Sequence, residues 1–268
     1  MKVNFLIIGA AKSATTSLCN ALAQHPDICF SQPKEPQFFS KPNWRKTIKQ
    51  YHALFKKEAK LYGEGSTNYT KHPSFNKNIH DDIYEYNSEM KLIYIMRQPV
   101  DRIVSQYIHA YNRGYESSKD INSVLRSNSH YINVSKYASQ IEPYIERFGR
   151  DQVLLLFFED FITNSEGVLD TVFQFLNIKK TTIDSALLNT NKSFNRRVLH
   201  YKYDNPKTLF DKLKKVGLII KNYFNSDFID TKPQLTEDTK AFILDKVKED
   251  IITIEKLTNR DLSHWLKG

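Results

Sequence analysis

The chain has 268 residues, 40% of them hydrophobic and 26% charged, which suits a folded protein with a sizeable core and excludes disorder as a description of the whole. Lys and Arg number 39 against 30 Asp and Glu, a net charge of +9, so the surface attracts anions: nucleotides, sulfated or phosphorylated compounds, acidic glycans or nucleic acid. Both cysteines, Cys19 and Cys29, lie near the start, so no disulfide framework or cysteine-rich zinc site staples the rest, and a reducing compartment is the simpler expectation.

The apolar stretch ending at Ile8 meets Gly9 too soon for a signal-peptide core, and no later apolar run nears the roughly 18–20 residues that cross a bilayer. A cytoplasmic protein without membrane insertion is expected.

Short apolar runs recur at residues 5–8, 28–30, 61–63, 91–96 and 153–158. They are bounded by turn residues and lack strict alternation, which predicts strands buried on both faces of a parallel sheet. Helical spacing separates them at residues 16–24 (Leu18, Ala21, Leu22), 101–112 (Ile103, Val104, Tyr107, Ile108, Tyr111) and 165–176 (Val168, Leu169, Val172, Phe173, Leu176). A Lys-rich amphipathic helix at 206–224 reads as a solvated basic face rather than a membrane-surface helix. Residues 236–257 form a long helix with Phe242, Ile243, Val247, Ile251, Ile254 and Leu257 on one side. No linker or repeat divides the chain. The expected architecture is one α/β domain over residues 1–268, three-layered, with a central parallel sheet flanked by helices.

The first strand runs into Gly9-Ala10-Ala11-Lys12-Ser13-Ala14-Thr15-Thr16 and then a helix. Small residues let the backbone curl round an oxyanion, the helix start aims unpaired N–H groups at it, and Lys12 adds a full charge. An ordinary strand-to-helix turn with a surface lysine is the plain alternative. Only two residues separate Gly9 from Lys12, unlike a Walker A loop, G-x-x-x-x-G-K-[ST]. A P-loop-like kinase using Mg-ATP would also need a magnesium-binding carboxylate, for which Glu159-Asp160 after the fifth strand is the candidate. The fourth strand delivers Arg97 at its C-terminal edge, ahead of Pro99 and a helix carrying Arg102 and Ser105. Arginine grips phosphate bidentately and Ser105 adds a hydroxyl. Two anion cradles on neighbouring strand ends imply a ligand with two separated phosphate-like groups.

GAAKSATTSL (9–18), KEPQFF (34–39) and YIMRQPVDRIVSQYIH (94–109), in that order, resemble the sulfotransferases that use 3′-phosphoadenosine-5′-phosphosulfate, especially bacterial and glycosaminoglycan-type members. IEKLTNRDLSHWL (254–266) is similar to the ending of many bacterial members. The resemblance implies a P-loop nucleotide-kinase-like fold and transfer of a sulfuryl group to a hydroxyl, or less often an amine, of a carbohydrate or small-metabolite acceptor. Adenosine 3′,5′-bisphosphate would be the product, and no metal is needed. It further implies that the loop with Ala11, Lys12, Ser13, Ala14, Thr15 and Thr16 holds the 5′-phosphosulfate, that Arg97 and Ser105 hold the 3′-phosphate, and that Lys12 is catalytic, balancing charge on the departing oxygen.

In-line attack by a hydroxyl needs a positioned base, and Glu35 is the candidate, since glycosaminoglycan-type members carry a glutamate in a similar block. The alternative makes Lys34 and Glu35 a loop ion pair, with Phe38 and Phe39 as core. Tyr62-Gly63-Glu64-Gly65-Ser66-Thr67-Asn68-Tyr69 resembles the G-E-K-[ST]-P-x-Y segment lining the acceptor pocket, so Lys34, Ser66, Asn68 and Tyr69 are candidate acceptor contacts. Tyr69 and Asn68 could equally be structural. Gly65 stands where glycosaminoglycan enzymes commonly have lysine, which weakens a heparan-like acceptor. His72 is a minor rival for the base. Residues 189–197 resemble the late N-x-S-x-x-x-R segment covering the nucleotide, so Lys192, Arg196 or Arg197 reaches a cofactor phosphate or merely flanks a helix. The eight histidines form no paired metal-ligand spacing. A basic nucleic-acid binder is the remaining rival, drawing on 15 tyrosines, but positive charge gathers at strand ends and no nucleic-acid module is visible.

Overall fold

The computed structural model describes residues 1–74, 77–184 and 228–267. Among these, β1 (Phe5–Gly9), β2 (Ile28–Phe30), β3 (Leu61–Gly65), β4 (Lys91–Met96) and β5 (Val153–Phe157) form one sheet in the order β2-β3-β1-β4-β5. Every pairing is parallel, with Phe5 opposite both Gly63 and Lys91, Ile28 opposite Leu61, and Leu92 opposite Val153. Runs such as FLIIG and KLIYIM are apolar on both sides because both sheet faces are covered.

The alternation of side chains divides each strand between two cores. Phe5, Ile7, Ile93, Ile95 and Leu156 pack with the apolar stripes of α1 (Thr15–Leu22) and α9 (Ser165–Leu176). Leu6, Ile8, Leu92, Tyr94, Met96 and Val153 point the other way. They meet α3 (Ile79–Tyr86), α4 (Pro99–Asn112), α7 (Tyr137–Phe148) and α10 (Glu237–Thr258). The short helices α2 (Ile48–His52), α5 (Ile121–Ser127), α6 (His130–Asn133) and α8 (Phe158–Thr163) complete the layers. The expected three-layer α/β architecture is the one observed.

Element ends differ from the expectation where local bonds intervene. β5 stops at Phe157 because α8 begins at Phe158. α1 ends at Leu22, where Gln24 N donates to Ala21 O and His25 N to Leu22 O, closing a turn. The long C-terminal helix starts at Glu237 because Thr236 caps it, its hydroxyl accepting from Thr239 N at 3.2 Å. The helix expected at 206–224 lies outside the described residues.

The C-terminal segment buttresses the corner that matters most. Trp265 packs on Tyr137 and Phe157, at ring separations of 5.9 and 5.8 Å, and its carbonyl accepts from the side chain of Gln98. Gln98 in turn caps α4, accepting from Asp101 N at 2.7 Å ahead of Pro99.

Gly63 sits under the ring of its register partner Phe5, where a Cβ would approach ring carbons to 2.2 Å. Gly63→Ala is expected to destabilise the fold by about 1–3 kcal/mol in urea unfolding, because the buried ring has nowhere to go. A loss under about 0.5 kcal/mol would show that Phe5 moves aside freely.

Candidate functional site

Parallel strands end at one edge, and the loops leaving β1, β2, β3 and β4 all emerge there. After β1 the backbone turns through Lys12 (φ 72°) and Ala14 (φ 63°), both left-handed. Ala14 is the N-cap of α1 and makes no side-chain cap, and the first turn of the helix carries no acidic residue. Its leading N–H groups are open to an external anion. Between the two left-handed residues Ser13 is 0% exposed, and its hydroxyl has no partner. A buried hydroxyl left unmatched in a loop of this shape fits a phosphate-class ligand.

β4 brings the second cation to the first. Arg97 Nη1 lies 3.5 Å from Lys12 O, the guanidinium stacks over Phe158 at 4.6 Å, and Tyr137 donates to Arg97 O at 2.6 Å. In the first turn of α4, Arg102 is 0% exposed and ties the loop after β1 to the helical layer. Its Nη1 lies 3.5 Å from Ala11 O, Nε donates to Ser135 Oγ at 2.5 Å, and Nη2 donates to Tyr131 O at 2.6 Å. Ser105, buried, follows Arg102 on α4, and His109 and Arg113 continue at helical spacing beyond it.

The charges act on one another. Burial pushes the Lys12 ammonium down to about 8, Arg113 and then Arg97 push the same way, Glu35 opposes them, and Arg102 adds a smaller downward push. Burial, with Lys12, Arg113 and Lys71, pushes His109 down to about 3, so that imidazole is neutral. Lys71 is itself lowered, mainly by burial, while Glu35 raises it. Arg113, Lys71 and His109 were not among the residues expected here. The stripe at 102, 105, 109 and 113 was the available signal for Arg113, one residue past the expected helix end.

Glu35 occupies a loop pinned to β3 and the turn after it. Glu35 N donates to Gly65 O at 3.1 Å, Gln37 N to Ser66 Oγ at 3.0 Å, and Phe39 N to Tyr69 Oη at 3.3 Å. Lys34 Nζ lies 2.7 Å from Glu35 Oε1, so the ion pair exists, and Phe38 and Phe39 are core. Glu35 (φ 58°) and Gln37 (φ 49°) are left-handed as well. Among the described residues six non-glycine residues have positive φ; two, Asn177 and Asn259, are helix C-caps, and the other four are the pairs in these two loops. Each costs on the order of 1–2 kcal/mol, a strain that clusters at functional sites.

The acceptor candidates separate. Tyr69 is 4% exposed, packs on Phe39 at 5.9 Å and accepts from Phe39 N, so its ring is structural rather than free to stack on a sugar. Ser66 is buried, its hydroxyl used by Gln37 N, and supports the loop from beneath. Asn68 Oδ1 accepts from Lys71 Nζ at 2.6 Å. His72 is exposed and its backbone is paired in both directions with Gln140. At Gly65 a Cβ would come within 2.5 Å of Cys19 Sγ, so the sulfur occupies the room a larger residue would need.

The carboxylates that the kinase alternative would need are partly engaged, with Glu159 Oε2 buried and without a partner among the described residues. Glu159 Oε1 accepts from Gln98 N at 2.8 Å, and Asp160 forms a two-point ion pair with Arg260. Among the described residues no cluster of three or more His, Cys, Asp or Glu could hold a metal ion, and no helix is long and apolar enough to cross a membrane. Lys192, Arg196 and Arg197 lie outside the described residues.

The sulfotransferase-domain family model matches residues 2–243. Heparan sulfate glucosamine 3-O-sulfotransferase 3A1 of Mus musculus is 27% identical over 200 residues, covering 70% of this chain and 49% of that enzyme. The Mus musculus bifunctional heparan sulfate N-deacetylase/N-sulfotransferase 1 is 29% identical over 199 residues, 66% of this chain and 22% of the relative. The chain thus spans about half the length of the first relative and less of the second. A sulfotransferase crystal structure from Alicyclobacillus acidocaldarius shares the fold, with TM-score 0.70, 24% identity and 99% of each chain covered. With the family model matching residues 2–243 of the chain, this protein belongs to the sulfotransferase-domain family.

Proposed function

We propose that the chain transfers a sulfuryl group from 3′-phosphoadenosine-5′-phosphosulfate to a hydroxyl of a carbohydrate or small metabolite. The observation that carries this is the meeting of Arg97 with the backbone of Lys12, which sets two cation-bearing cradles side by side. Ala11 to Thr16, with the unmatched Ser13 hydroxyl and the open start of α1, would hold the 5′ end; Arg97 and Ser105 would hold the 3′-phosphate. When bound, the donor supplies an activated sulfuryl group on a phosphate leaving group.

Lys12 contributes a cation where negative charge develops, in a setting that burial makes low in dielectric. Glu35, whose charge is felt by both Lys12 and Lys71, takes the acceptor's proton on a carboxylate oxygen. Lys34 orients that carboxylate through their 2.7 Å ion pair. Asn68 and Lys71, paired at 2.6 Å with Lys71 in the field of Glu35, favour an acceptor rich in hydroxyl or acidic groups. A carbohydrate is further supported by the names of the curated relatives, which act on heparan sulfate glucosamine. Two cores sharing one sheet support one domain, and two free buried thiols support a reducing, cytoplasmic setting.

Lys12→Ala should lower transfer by about 10²- to 10³-fold with radiolabelled donor and a panel of hydroxylated acceptors, heparan sulfate oligosaccharide first. Glu35→Gln should lower it by about 10²-fold or more, with bisphosphate binding intact. Full turnover in either variant refutes the role assigned to that residue. Absence of calorimetric binding of adenosine 3′,5′-bisphosphate to the folded protein refutes the reading as a whole.

The Lys12 shift sets a pH dependence. In the free protein it is an ammonium below about pH 8 and an amine above, and an anion binds the ammonium form. Bisphosphate affinity should therefore weaken by up to about tenfold per unit above that pH, with proton uptake on binding in that range. Calorimetry in buffers of different ionisation enthalpy measures the uptake, and Lys12→Met should abolish it.

A further inference from the structure

Tyr137 and Glu159 have no part in the transfer proposed above, yet both are bonded to the backbone that carries Arg97. Tyr137, 0% exposed, donates from its hydroxyl to Arg97 O at 2.6 Å. Glu159 Oε1 accepts from Gln98 N at 2.8 Å. That carbonyl and that N–H belong to one trans, planar peptide unit, so they point opposite ways and the two side chains grip it from opposite sides.

Each grip is itself anchored. Tyr137 opens α7, and its ring meets those of Tyr94 and Trp265 at 6.1 and 5.9 Å. Lys136 at the N-cap gives α7 no side-chain cap; Asp250 of α10 accepts from Ala138 N and Ser139 N instead, both at 2.9 Å. Glu159 is placed by the sheet. Met96 stands opposite Phe157, and the residues that follow stay side by side: the Arg97 guanidinium lies over Phe158 at 4.6 Å, and Gln98 meets Glu159.

The guanidinium's own polar contacts among the described residues are long by comparison, 3.5 Å to Lys12 O and 3.9 Å to Asp101 Oδ2. Its position therefore follows from where its backbone leaves β4 and from the Phe158 ring. Two-point bonding of a phosphate by a planar fork is sensitive to that position.

We propose that Tyr137 and Glu159 are positioning residues: by bonding both edges of the 97–98 peptide unit they fix the strand end from which Arg97 reaches the 3′-phosphate. The grip is a property of the fold; its effect on binding rests on the reading that Arg97 holds the 3′-phosphate of the donor.

The test compares calorimetric Kd values of adenosine 3′,5′-bisphosphate and adenosine 5′-monophosphate, which lacks the 3′-phosphate, in full-length variants. Tyr137→Phe and Glu159→Ala should each weaken the bisphosphate by about fivefold or more and the monophosphate by less than about twofold. Glu159→Gln keeps an acceptor oxygen for Gln98 N and should stay within about twofold of wild type for both ligands. In an Arg97→Ala background, Tyr137→Phe should have no further effect on the bisphosphate, since it acts through that guanidinium. Exchange of the Gln98 amide should accelerate by about tenfold or more in Glu159→Ala, while amides of β1 stay protected. Equal weakening of both ligands, loss in Glu159→Gln as large as in Glu159→Ala, or multiplying losses with Arg97→Ala overturns the proposal. Should Glu159→Ala fail to fold, Tyr137→Phe alone must weaken the bisphosphate selectively, and wild-type affinity overturns it. Selective loss in Arg97→Ala with none in Tyr137→Phe and Glu159→Ala removes the positioning role and leaves the 3′-phosphate assignment standing. No selective loss in Arg97→Ala overturns both.

Discussion

Parallel pairing of β1 with β4 is the constraint on which the site depends. Phe5 opposite Lys91 and Ile7 opposite Ile93 make the two strands finish at one edge, so the turn holding Lys12 and the strand end holding Arg97 emerge as neighbours. An antiparallel pairing would have sent them to opposite ends of the sheet. Arg102 then locks the arrangement from the helical side, each of its three nitrogens facing a neutral acceptor on the β1 loop or the α6 region. A buried guanidinium is tolerated there because its donors are matched.

Charge is gathered at this edge against its own repulsion. The cations around Lys12 depress it, and Glu35 alone among its strongest influences opposes them. Such a cluster has an unfavourable self-energy that a polyanion removes, which makes the arrangement easier to understand as a binding device than as a stabilising one. Backbone conformation points the same way. The two loops bearing Lys12 and Glu35 hold four left-handed non-glycine residues, and Lys12 and Glu35 are themselves among them.

The strain is sustained by buried polar support. On one side Arg102 holds Ala11; on the other, Gly65, Ser66 and Tyr69 hold the backbone of residues 35–39. Ser66 and Tyr69, expected to face the acceptor, instead hold the backbone of the Glu35 loop. Preorganisation of this kind places reacting groups before substrate arrives, so little reordering is left for the chemical step.

Strand positions, the long C-terminal helix and the turn from the first strand into a helix were legible in the residues, because apolar runs, helical periodicity and small residues around a lysine are local signals. The local order of residues also sufficed to pair Lys12 with Arg97, since parallel strands share an edge. What the chain could not reveal by itself was direction and depth. Whether Tyr69 and Ser66 meet a ligand or the back of the Glu35 loop depends on which face of the turn is buried, and that is decided by Phe39 and Gln37, some thirty residues away. The convergence of Lys71 with His109 and Arg113 on Lys12 likewise arises from distant segments brought together by packing.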